Sequence, residues 1–597
     1  MKELEYPFDS EYILKKRIKI KKQLLNNKEI KFTKKKIAIL GGSTTHEIMN
    51  MLELFLLSFG IMPEFYESAY NRYYEEGMFH NPALEEFEPD IIYIHTSIRN
   101  ITEWPEISAT QEQIDIMQKK LFRQFESLWT HLDETYHCSI IQNNFEAPFY
   151  RLFGNQDACY PQGKVNYVSK LNIMFYEYAQ NHKNFYIHDI NYESSYYGLE
   201  KWSNPFYWYM YKYAMALPAI PYTSHGIALI VKSIFGKNKK ALSIDLDNTI
   251  WGGTIGDDGV ENIEIGQETS LGQAYSEFQS YLKQLKQIGV LLTVNSKNNI
   301  EIAKEGFQRE ESVLRENDFS DFKANWEDKS SNLLDTAQEL QLLPESFVFL
   351  DDNPAEREII RQGVPGVGIP EMTKVEQYIQ SIDQSGFFEV TTLSNDDFNR
   401  TEMYQANAKR NQARAAFVNY DEYLNSLEMK GIIMPFETSC MSRISQLTNK
   451  SNQFNLTTKR YTQTEIEKIA NDPQYLTLYG KLKDKFGDNG IVSVIIGKIQ
   501  DNNLHIDLWL MSCRVLKRNM EYAMMDELVK HVKKKGLCYI YGYYYPTQKN
   551  ALVKDFYKKM GFNKIREDTM GNTQWEFVVP GKYVEKNKSI YIEREEM

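Results

Sequence analysis

This chain of 597 residues has few cysteines, no long apolar run and no excess of positive charge. Its five cysteines, at positions 138, 159, 440, 513 and 538, show neither metal-binding spacing nor a disulfide framework, which indicates a reducing compartment. No apolar run reaches the roughly 18 residues of a membrane helix, and the charged N-terminus lacks a secretory apolar segment, so we expect a cytoplasmic protein without a membrane span. The net charge of −12 argues against a nucleic-acid partner.

The most informative segment is ALSIDLDNTIWGGTIGDDG, in which an apolar strand ends in Asp245 and Asp247. Strand residues alternate between faces, so the two carboxylates project the same way. This arrangement suits phosphoryl chemistry, in which Asp245 attacks phosphorus to form an aspartyl-phosphate and Asp247 acts as general acid and base. The glycine-rich stretch 252–256 permits the turns of a flap that closes over the site.

Three later segments add complementary groups at the ends of strands or loops. The strand VLLTV leads to Ser296, whose hydroxyl can hold a phosphate oxygen, and NWEDKSSNL supplies the cation Lys329 to offset negative charge. The strand SFVFL ends in Asp351 and Asp352. Carboxylates around a phosphate repel one another unless a divalent cation lies among them, and oxygen ligands favour Mg²⁺. The expected metal ligands are Asp245, Asp247, Asp351 and Asp352.

These segments resemble the four motifs of the haloacid dehalogenase (HAD) superfamily, which begin here at Asp245, Ser296, Lys329 and Asp351. The runs LDNTIWGG and FVFLDDNPAERE are similar to the FkbH-like branch, HAD subfamily IIIC. That resemblance covers nearly the whole chain and implies an SGNH-like domain, a HAD domain and an acetyltransferase-like (GNAT) domain, in that order. The substrate- and phosphate-binding positions that it implies are Thr249, Gly252, Gly253, Asn295, Lys297 and Asn298.

Length and resemblance together predict an α/β chain of three domains. These are an SGNH-like (flavodoxin-like) α/β domain, a HAD-type Rossmannoid α/β domain and a GNAT-like α+β domain. The predicted bounds are 1–33 for a basic helical extension, 34–235 for the SGNH-like domain, 238–385 for the HAD domain, 386–430 for an exposed helical connector, 431–583 for the GNAT-like domain and 584–597 for a polar tail. The basic extension is either an amphipathic helix packed beside the next domain or a membrane-surface attachment.

The outer domains carry two further candidate sites. In the first, the SGNH resemblance implies Ser43 as nucleophile and His225 as base, with Asn100 nearby. Tyr222 stands where the hydrolase pattern has an aspartate, so His225 lacks an orienting carboxylate. The alternative is a degenerate fold used for binding or packing, in which Ser43 only caps the first helix.

The second candidate site lies where LWLMSCRV precedes the helix RNMEYAMMDELVKHVKKKG, an order that resembles the coenzyme half of GNAT acyltransferases. In that fold a splayed strand pairs with the pantetheine arm, and backbone NH groups at the helix start hold the pyrophosphate. The usual glycines are replaced by basic residues, which would have to reach acyl-CoA or a phosphopantetheine thioester; the alternative is a structural relic. The candidate residues are Cys513, Arg514, Val515, Lys517, Arg518, Asn550 and Tyr557.

The FkbH-like resemblance implies transfer of a glyceryl group from 1,3-bisphosphoglycerate to an acyl carrier protein through a cysteine beside the second motif. Asn295 stands at that position, and an amide cannot replace a thiolate nucleophile. The sequence predicts a Mg²⁺-dependent phosphatase or phosphotransferase for a phosphorylated small molecule, coupled to acyl transfer to a carrier protein. The alternatives are a non-enzymatic assembly module that docks a carrier protein and a stand-alone small-molecule phosphatase.

Overall fold

The computed structural model describes residues 1–28, 30–414, 416–451, 453–547 and 549–593. The chain divides into two compact units, Met1–Lys237 and Asn238–Met597. Both units combine helices with sheets that contain parallel strands, which confirms the predicted α/β class. Within the described residues, no helix is long and apolar enough to cross a bilayer.

The first unit is built around a parallel sheet with helices on both faces. Its strands are β1 (Thr33–Gly41), β2 (Ile61–Glu67), β3 (Ile91–His95), β4 (Ser139–Asn143) and β5 (Phe185–His188). Its helices are α1 (Ser10–Asn26), α2 (His46–Ser58), α3 (Tyr73–Met78), α4 (Pro82–Phe87), α5 (Gln111–Tyr136), α6 (Lys164–Asn181), α7 (Ile190–Tyr197), α8 (Leu199–Trp202), α9 (Pro205–Tyr211) and α10 (Ile220–Ile234). The strand order is β2-β1-β3-β4-β5, and β3 and β4 are buried along their whole length, as expected for a sheet covered on both faces.

The basic N-terminal segment forms α1, an amphipathic helix that packs against α2. It begins at Asp9, whose side chain accepts a hydrogen bond from the Tyr12 N–H and so caps the first turn. Ile13, Ile20 and Leu24 recur at helical spacing and are buried in the core, whereas the lysines between them are largely exposed.

The second unit begins with another parallel sheet, of order β8-β7-β6-β9. Its strands are β6 (Ala241–Ile244), β7 (Leu291–Ser296), β8 (Phe319–Ala324) and β9 (Phe347–Leu350). The helices of this part are α11 (Ile255–Asp258), α12 (Ser270–Gln287), α13 (Ile300–Gly306), α14 (Lys329–Glu339), α15 (Pro354–Gly363) and α16 (Tyr378–Gln384). Asn353 caps α15 by accepting a hydrogen bond from the Ala355 N–H, with Pro354 as the first helical residue.

The remaining helices and strands form the connector and the C-terminal part. The helices are α17 (Asn395–Phe398), α18 (Arg400–Arg414), α19 (Tyr420–Ser426), α20 (Met441–Lys450), α21 (Gln463–Asn471), α22 (Met520–Lys534) and α23 (Phe556–Lys559). The strands are β10 (Met429–Met434), β11 (Phe454–Asn455), β12 (Tyr475–Asp484), β13 (Gly487–Gln500), β14 (Asn503–Met511), β15 (Tyr539–Tyr544), β16 (Asn563–Glu567), β17 (Thr573–Val578) and β18 (Ile590–Ile592). Their sheet has the order β16-β17-β15-β14-β13-β12-β10-β18, and β11 pairs with β14.

The connector helix α18 is more deeply buried than its polar sequence predicts. Met403 and Tyr404 are buried, and the Arg410 side chain is only 2% exposed. The Arg410 guanidinium donates two hydrogen bonds of 2.8 Å to the carboxylate of Asp484, which closes β12 and is itself fully buried. The expectation of an exposed connector is therefore wrong, because its charge is neutralised by a partner distant in sequence.

Candidate active site

The four predicted motifs meet at one edge of the parallel sheet in the second unit. Asp245 follows β6, Ser296 ends β7, and Asp351 follows β9, so all three lie at the carboxyl ends of neighbouring strands. Lys329 is the first residue of α14, after β8. The convergence follows from parallel strand order, since equivalent strand ends meet at the same edge.

Carboxylate oxygens of Asp245, Asp351 and Asp352 all lie within 4.8 Å of one another. Asp245 and Asp351 are buried and Asp352 is partly buried. Three clustered carboxylates offer the hard oxygen ligands that suit Mg²⁺. The residues therefore fit the predicted metal, with Asp245, Asp351 and Asp352 as its carboxylate ligands.

Lys329 is the buried cation that balances this acidic cluster. Its Nζ lies 3.1 Å from Asp245 Oδ1 and donates a hydrogen bond of 2.6 Å to Asp351 Oδ2. Burial raises the pKa of Asp245 and of Asp351, and the Lys329 ammonium opposes that rise. Burial alone would lower the pKa of Lys329, but the two carboxylates outweigh it and raise the pKa overall.

Three hydrogen-bond donors fix the side chain of Asp247. Its Oδ1 accepts hydrogen bonds from Trp251 Nε1 at 2.9 Å and from the Ile255 N–H at 3.1 Å, while its Oδ2 accepts one from Asn298 Nδ2 at 2.8 Å. The geometry thus brings Asp245, but not Asp247, to the other two carboxylates. The sequence-based expectation of Asp247 as a fourth carboxylate ligand is not supported by this arrangement.

The turn after the first motif is fixed by hydrogen bonds to Asn248. This residue has a left-handed φ of 54°, and its carbonyl accepts hydrogen bonds from the hydroxyls of Tyr275 and Tyr378 at 3.2 and 3.3 Å. Its side chain accepts from the N–H of Gly253, whose φ of 91° favours glycine. Gly252 pairs with Glu264 through two backbone hydrogen bonds. The glycine-rich segment predicted to be a flap is therefore anchored at its start.

The remaining motif residues divide between the site and its supports. Ser296 is buried and its hydroxyl contacts Asp245, whereas Thr249 Oγ1 accepts a hydrogen bond from the Asp352 N–H at 3.2 Å. Lys297 is exposed and pairs with Glu356 at 2.6 Å. These contacts keep the predicted residues within one region of the fold.

Asn295 is buried, and both ends of its side-chain amide bind protein groups. Its Nδ2 donates to the Lys329 carbonyl at 2.9 Å and to the Ser243 hydroxyl at 3.2 Å, while its Oδ1 accepts from Asn332 at 3.4 Å. These contacts connect β7 to the start of α14. Asn295 therefore positions the backbone of Lys329, whereas the sequence predicted a phosphate-binding residue.

Arg357 is a supporting residue that the sequence analysis did not identify. Its Nη1 donates hydrogen bonds of 2.8 Å to the carbonyls of both Asp351 and Asp352, and its side chain is buried. The guanidinium thus fixes the backbone that carries the fourth motif. The sequence signal is weak, because an arginine on the first turns of a polar helix usually faces solvent.

The three residues predicted for the first unit do not assemble into a hydrolase triad. Asn100 lies beside the turn of Ser43 and donates a hydrogen bond of 2.9 Å to the Gly42 carbonyl. The Ser43 hydroxyl is buried and has no hydrogen-bond partner among the described residues. His225 packs against the rings of Phe8 and Phe55, and burial lowers its pKa to about 3. An imidazole in this apolar setting is a poor general base.

The predicted coenzyme site is filled by the chain itself. Strands β14 and β15 pair in parallel at residues 504 and 505, and Leu456 lies between their diverging ends. The Leu456 N–H donates to the Trp509 carbonyl, and its own carbonyl accepts from the Tyr545 N–H at 2.9 Å. These backbone contacts occupy the position where a splayed strand would pair with pantetheine.

The basic residues before α22 are likewise engaged within the protein. Arg514 is buried against Met403 of α18, and Arg518 binds Asp484 at 3.2 Å and Asn407 at 2.6 Å. The other predicted residues have structural contacts or lie beside them. Asn550 donates to the carbonyls of residues 455 and 545; Tyr557 and Val515 are buried; Cys513 is partly buried; and Lys517 has a left-handed φ of 65°. The geometry favours the structural alternative for this part of the chain.

Two comparisons with known proteins agree with the family resemblance seen in the sequence. The model of the FkbH N-terminal domain matches residues 36–232. Among solved structures, the N-terminal part of protein BF1531 from Bacteroides fragilis, which contains a phosphatase domain and is complexed with Mg, is 30% identical with a TM-score of 0.58. That similarity covers 63% of this chain and 99% of the BF1531 fragment.

Similarity to an acetyltransferase structure is much lower, and no curated protein matches the chain. The ribosomal-protein-S18-alanine N-acetyltransferase from Escherichia coli is 12% identical, with a TM-score of 0.21, over 26% of this chain and 99% of its own. Because the BF1531 fragment matches almost throughout at 30% identity, and the FkbH N-terminal domain precedes four converging HAD motifs, this chain belongs to the FkbH-like family of HAD proteins.

Proposed function

We propose that the second unit contains a Mg²⁺-dependent phosphohydrolase or phosphotransferase that works through an aspartyl-phosphate on Asp245. The observation that carries this proposal is the buried cluster of Asp245, Asp351 and Asp352 around Lys329. Burying several carboxylates costs free energy unless a cation balances their charge. Buried clusters of titratable groups of this kind are concentrated at functional sites. The Mg complex of the similar BF1531 phosphatase domain supports the same chemistry.

The metal would be held by Asp245, Asp351 and Asp352. When bound, Mg²⁺ would neutralise charge on the phosphoryl oxygens and so make phosphorus more susceptible to attack. Arg357 would keep two of these carboxylates in place by holding the backbone that carries them. The residues present therefore supply both the ligands and their support.

The first half-reaction would form a bond between an Asp245 oxygen and phosphorus as the bond from phosphorus to the leaving oxygen breaks. Ser296 would hold a phosphoryl oxygen, and Lys329 would balance its negative charge. Asp247 would give its proton to the leaving oxygen. In the second half-reaction, water or an acceptor hydroxyl would lose a proton to Asp247 and attack phosphorus, releasing Asp245.

The contacts of the cysteines favour phosphate chemistry without an acyl group carried on this chain. Cys513 lines a cavity with Lys240, which precedes β6, whereas Asp245 follows the same strand. Five residues of extended chain span about 16 Å, so this thiol lies far from the nucleophile. Cys440 is buried in the apolar core of the C-terminal part. The stand-alone phosphatase is therefore favoured over a route through a thioester on either of these cysteines.

Phosphate release from phosphorylated three-carbon acids and sugar phosphates tests this proposal. With Mg²⁺, Asp245→Asn should lower release by about 10³-fold or more, because it removes the nucleophile. Asp257→Asn is a matched control, since this exposed carboxylate lies on α11 in the same part of the chain. Equal activity in both variants would contradict the assignment of Asp245.

A carrier protein in the same assay tests the acyl-transfer alternative. Mass spectrometry would follow any acyl group added to the carrier. Our proposal predicts phosphate release without a gain in carrier mass. A mass gain that needs Asp245 would show that acyl transfer proceeds without a cysteine beside the second motif, and would overturn the preference for simple phosphate chemistry.

A further inference from the structure

Two helices of the first unit that border the same groove expose basic and apolar side chains: α1 exposes lysines, and α9 exposes apolar residues. On α1, Lys15, Lys16, Lys19 and Lys22 are exposed, and Ile18 between them is 78% exposed. On α9, Phe206, Tyr209 and Met210 are each more than half exposed. Large apolar side chains at this exposure, on a helix that borders the same groove as the lysines, mark a surface for interaction.

The two helices line one groove of about 910 Å³. Lys15, Lys16, Lys19 and Lys22 border it from α1, and Tyr207 and Tyr211 border it from α9. Glu47 is the carboxylate among the residues that line this groove, and it is paired with Arg17. The groove is therefore strongly cationic, although the chain as a whole has a net charge of −12.

The orientation of α1 is set by its packing, which keeps the lysines in solvent. Ile13, Ile20 and Leu24 are anchored in the core, and Lys21 pairs with Glu53 of α2 at 2.7 Å. Residues three and four apart share a helical face, so Lys15, Ile18 and Lys22 form one exposed stripe. The basic face therefore exists in the folded chain without rearrangement.

We propose that this face binds the surface of an anionic lipid bilayer. Basic residues beside aromatic and aliphatic tips are the pattern of interfacial attachment, in which cations meet headgroups and apolar tips enter the boundary of the acyl chains. Phe206, Tyr209 and Met210 do not line the groove. An acidic protein helix lying in the groove would leave Phe206 and Met210 in water, whereas a bilayer lying over both helices would take up the lysines together with these two tips.

Sedimentation with lipid vesicles tests this surface on the full chain. Vesicles of phosphatidylcholine alone are compared with an equimolar mixture of phosphatidylcholine and phosphatidylglycerol, at low and at high salt. Binding should require the anionic lipid and should weaken with salt, because screening reduces the attraction of exposed charges. Absence of binding to the anionic vesicles at low salt would overturn the proposal.

Matched variants show whether binding uses this face. The pair Lys15→Glu and Lys19→Glu should weaken binding by about thirtyfold or more, since each lysine near the surface adds about 1 kcal/mol. The control pair Lys534→Glu and Lys535→Glu changes the charge equally, at exposed residues near the end of α22. Equal weakening by both pairs would assign the effect to total charge and would contradict a site on α1.

The apolar tips are tested in the same way. Phe206→Ser with Met210→Ser should weaken binding by about tenfold or more, because the tips no longer leave water on contact with lipid. Leu552→Ser with Met570→Ser removes two side chains of similar exposure elsewhere and should have little effect. If the chain ignores vesicles but retains an acidic protein that the lysine variants release, the surface is a protein-docking site and the lipid proposal is wrong.

Discussion

Replacing Lys329 by methionine removes the ammonium group that lies between two buried carboxylates. The separations of 3.1 Å to Asp245 and 2.6 Å to Asp351 correspond to gross attractions of about 5 and 6 kcal/mol at an effective dielectric constant of about 20. Most of this is offset by the cost of burying the charges. We therefore expect a net loss of about 3–5 kcal/mol, the usual cost of leaving a buried charge unpaired.

Lys297→Met is the matched control for this prediction. Lys297 also contacts a carboxylate at 2.6 Å, that of Glu356, but its side chain is 41% exposed, whereas that of Lys329 is 4% exposed. Water screens the exposed pair, so its loss should cost at most about 1 kcal/mol. The two substitutions are identical in chemistry and similar in contact distance, and they differ in burial.

Hydrogen exchange of the amides in β6 and β9 measures the effect where it should occur. A loss of about 3–5 kcal/mol speeds exchange by about 10²- to 10⁴-fold if the strands open together. Strands β1 to β5 provide an internal reference in the same samples. Added Mg²⁺ should restore part of the protection in Lys329→Met, since a cation again faces the carboxylates. Equal effects of Lys329→Met and Lys297→Met would refute the reasoning that burial decides the strength of these pairs.

Three further predictions concern other parts of the chain. Arg357→Gln should lower kcat about 10- to 100-fold with little change in KM, because the backbone carbonyls of Asp351 and Asp352 lose their hydrogen-bond donor. Steady-state kinetics would compare this variant with Arg361→Gln on the same helix, and equal losses of kcat would contradict the role of Arg357. Burial raises the pKa of Glu146 from 4.5 to about 7. The stability that its protonated form contributes is therefore fully present below about pH 4.5 and is lost as the pH rises through about 7. Corrected amide exchange of β4 should show a decline of about 2.5 kcal/mol from pH 5 to pH 8 in the wild type and none in Glu146→Gln. Acetyl-CoA should give no heat of binding in calorimetry, because Leu456 fills the splay between β14 and β15, and saturable binding would show that this segment moves aside.

The acidic cluster could be predicted from the sequence because it follows from local rules. Asp245 and Asp351 each end a short apolar run, and parallel strands bring such ends to one edge of the sheet. The cap of α15 follows in the same way from Asn353 and Pro354. These features depend on neighbours in the sequence and on one rule of topology.

The supports of the site could not be predicted, because they depend on contacts that local pattern does not encode. The Asp247 carboxylate is held by hydrogen bonds from Trp251, Ile255 and Asn298, and the last of these comes from another strand end. Asn295 looked like part of a phosphate site, yet its amide is directed at the start of α14. Residue type alone does not show which of two neighbouring polar groups faces the substrate.

The burial of α18 likewise depends on a partner distant in sequence. The many polar residues of this helix predict a solvent-exposed linker. In the structure, however, Arg410 binds Asp484, which lies 74 positions later in the sequence. The same carboxylate also binds Arg518. A charged side chain can be buried when its counter-ion is buried beside it, and the sequence alone does not show which two residues will pair.

The ion pair between Arg410 and Asp484 also limits where recombination between related genes could join two parts of this chain. A crossover between these two positions would pair the connector of one relative with the C-terminal sheet of another. Unless both parents carried matching charges, the hybrid would contain a buried arginine or a buried aspartate without its counter-ion. The connector is therefore inherited most safely together with the sheet that follows it, since a joint at the start of β10 would separate these two buried charges.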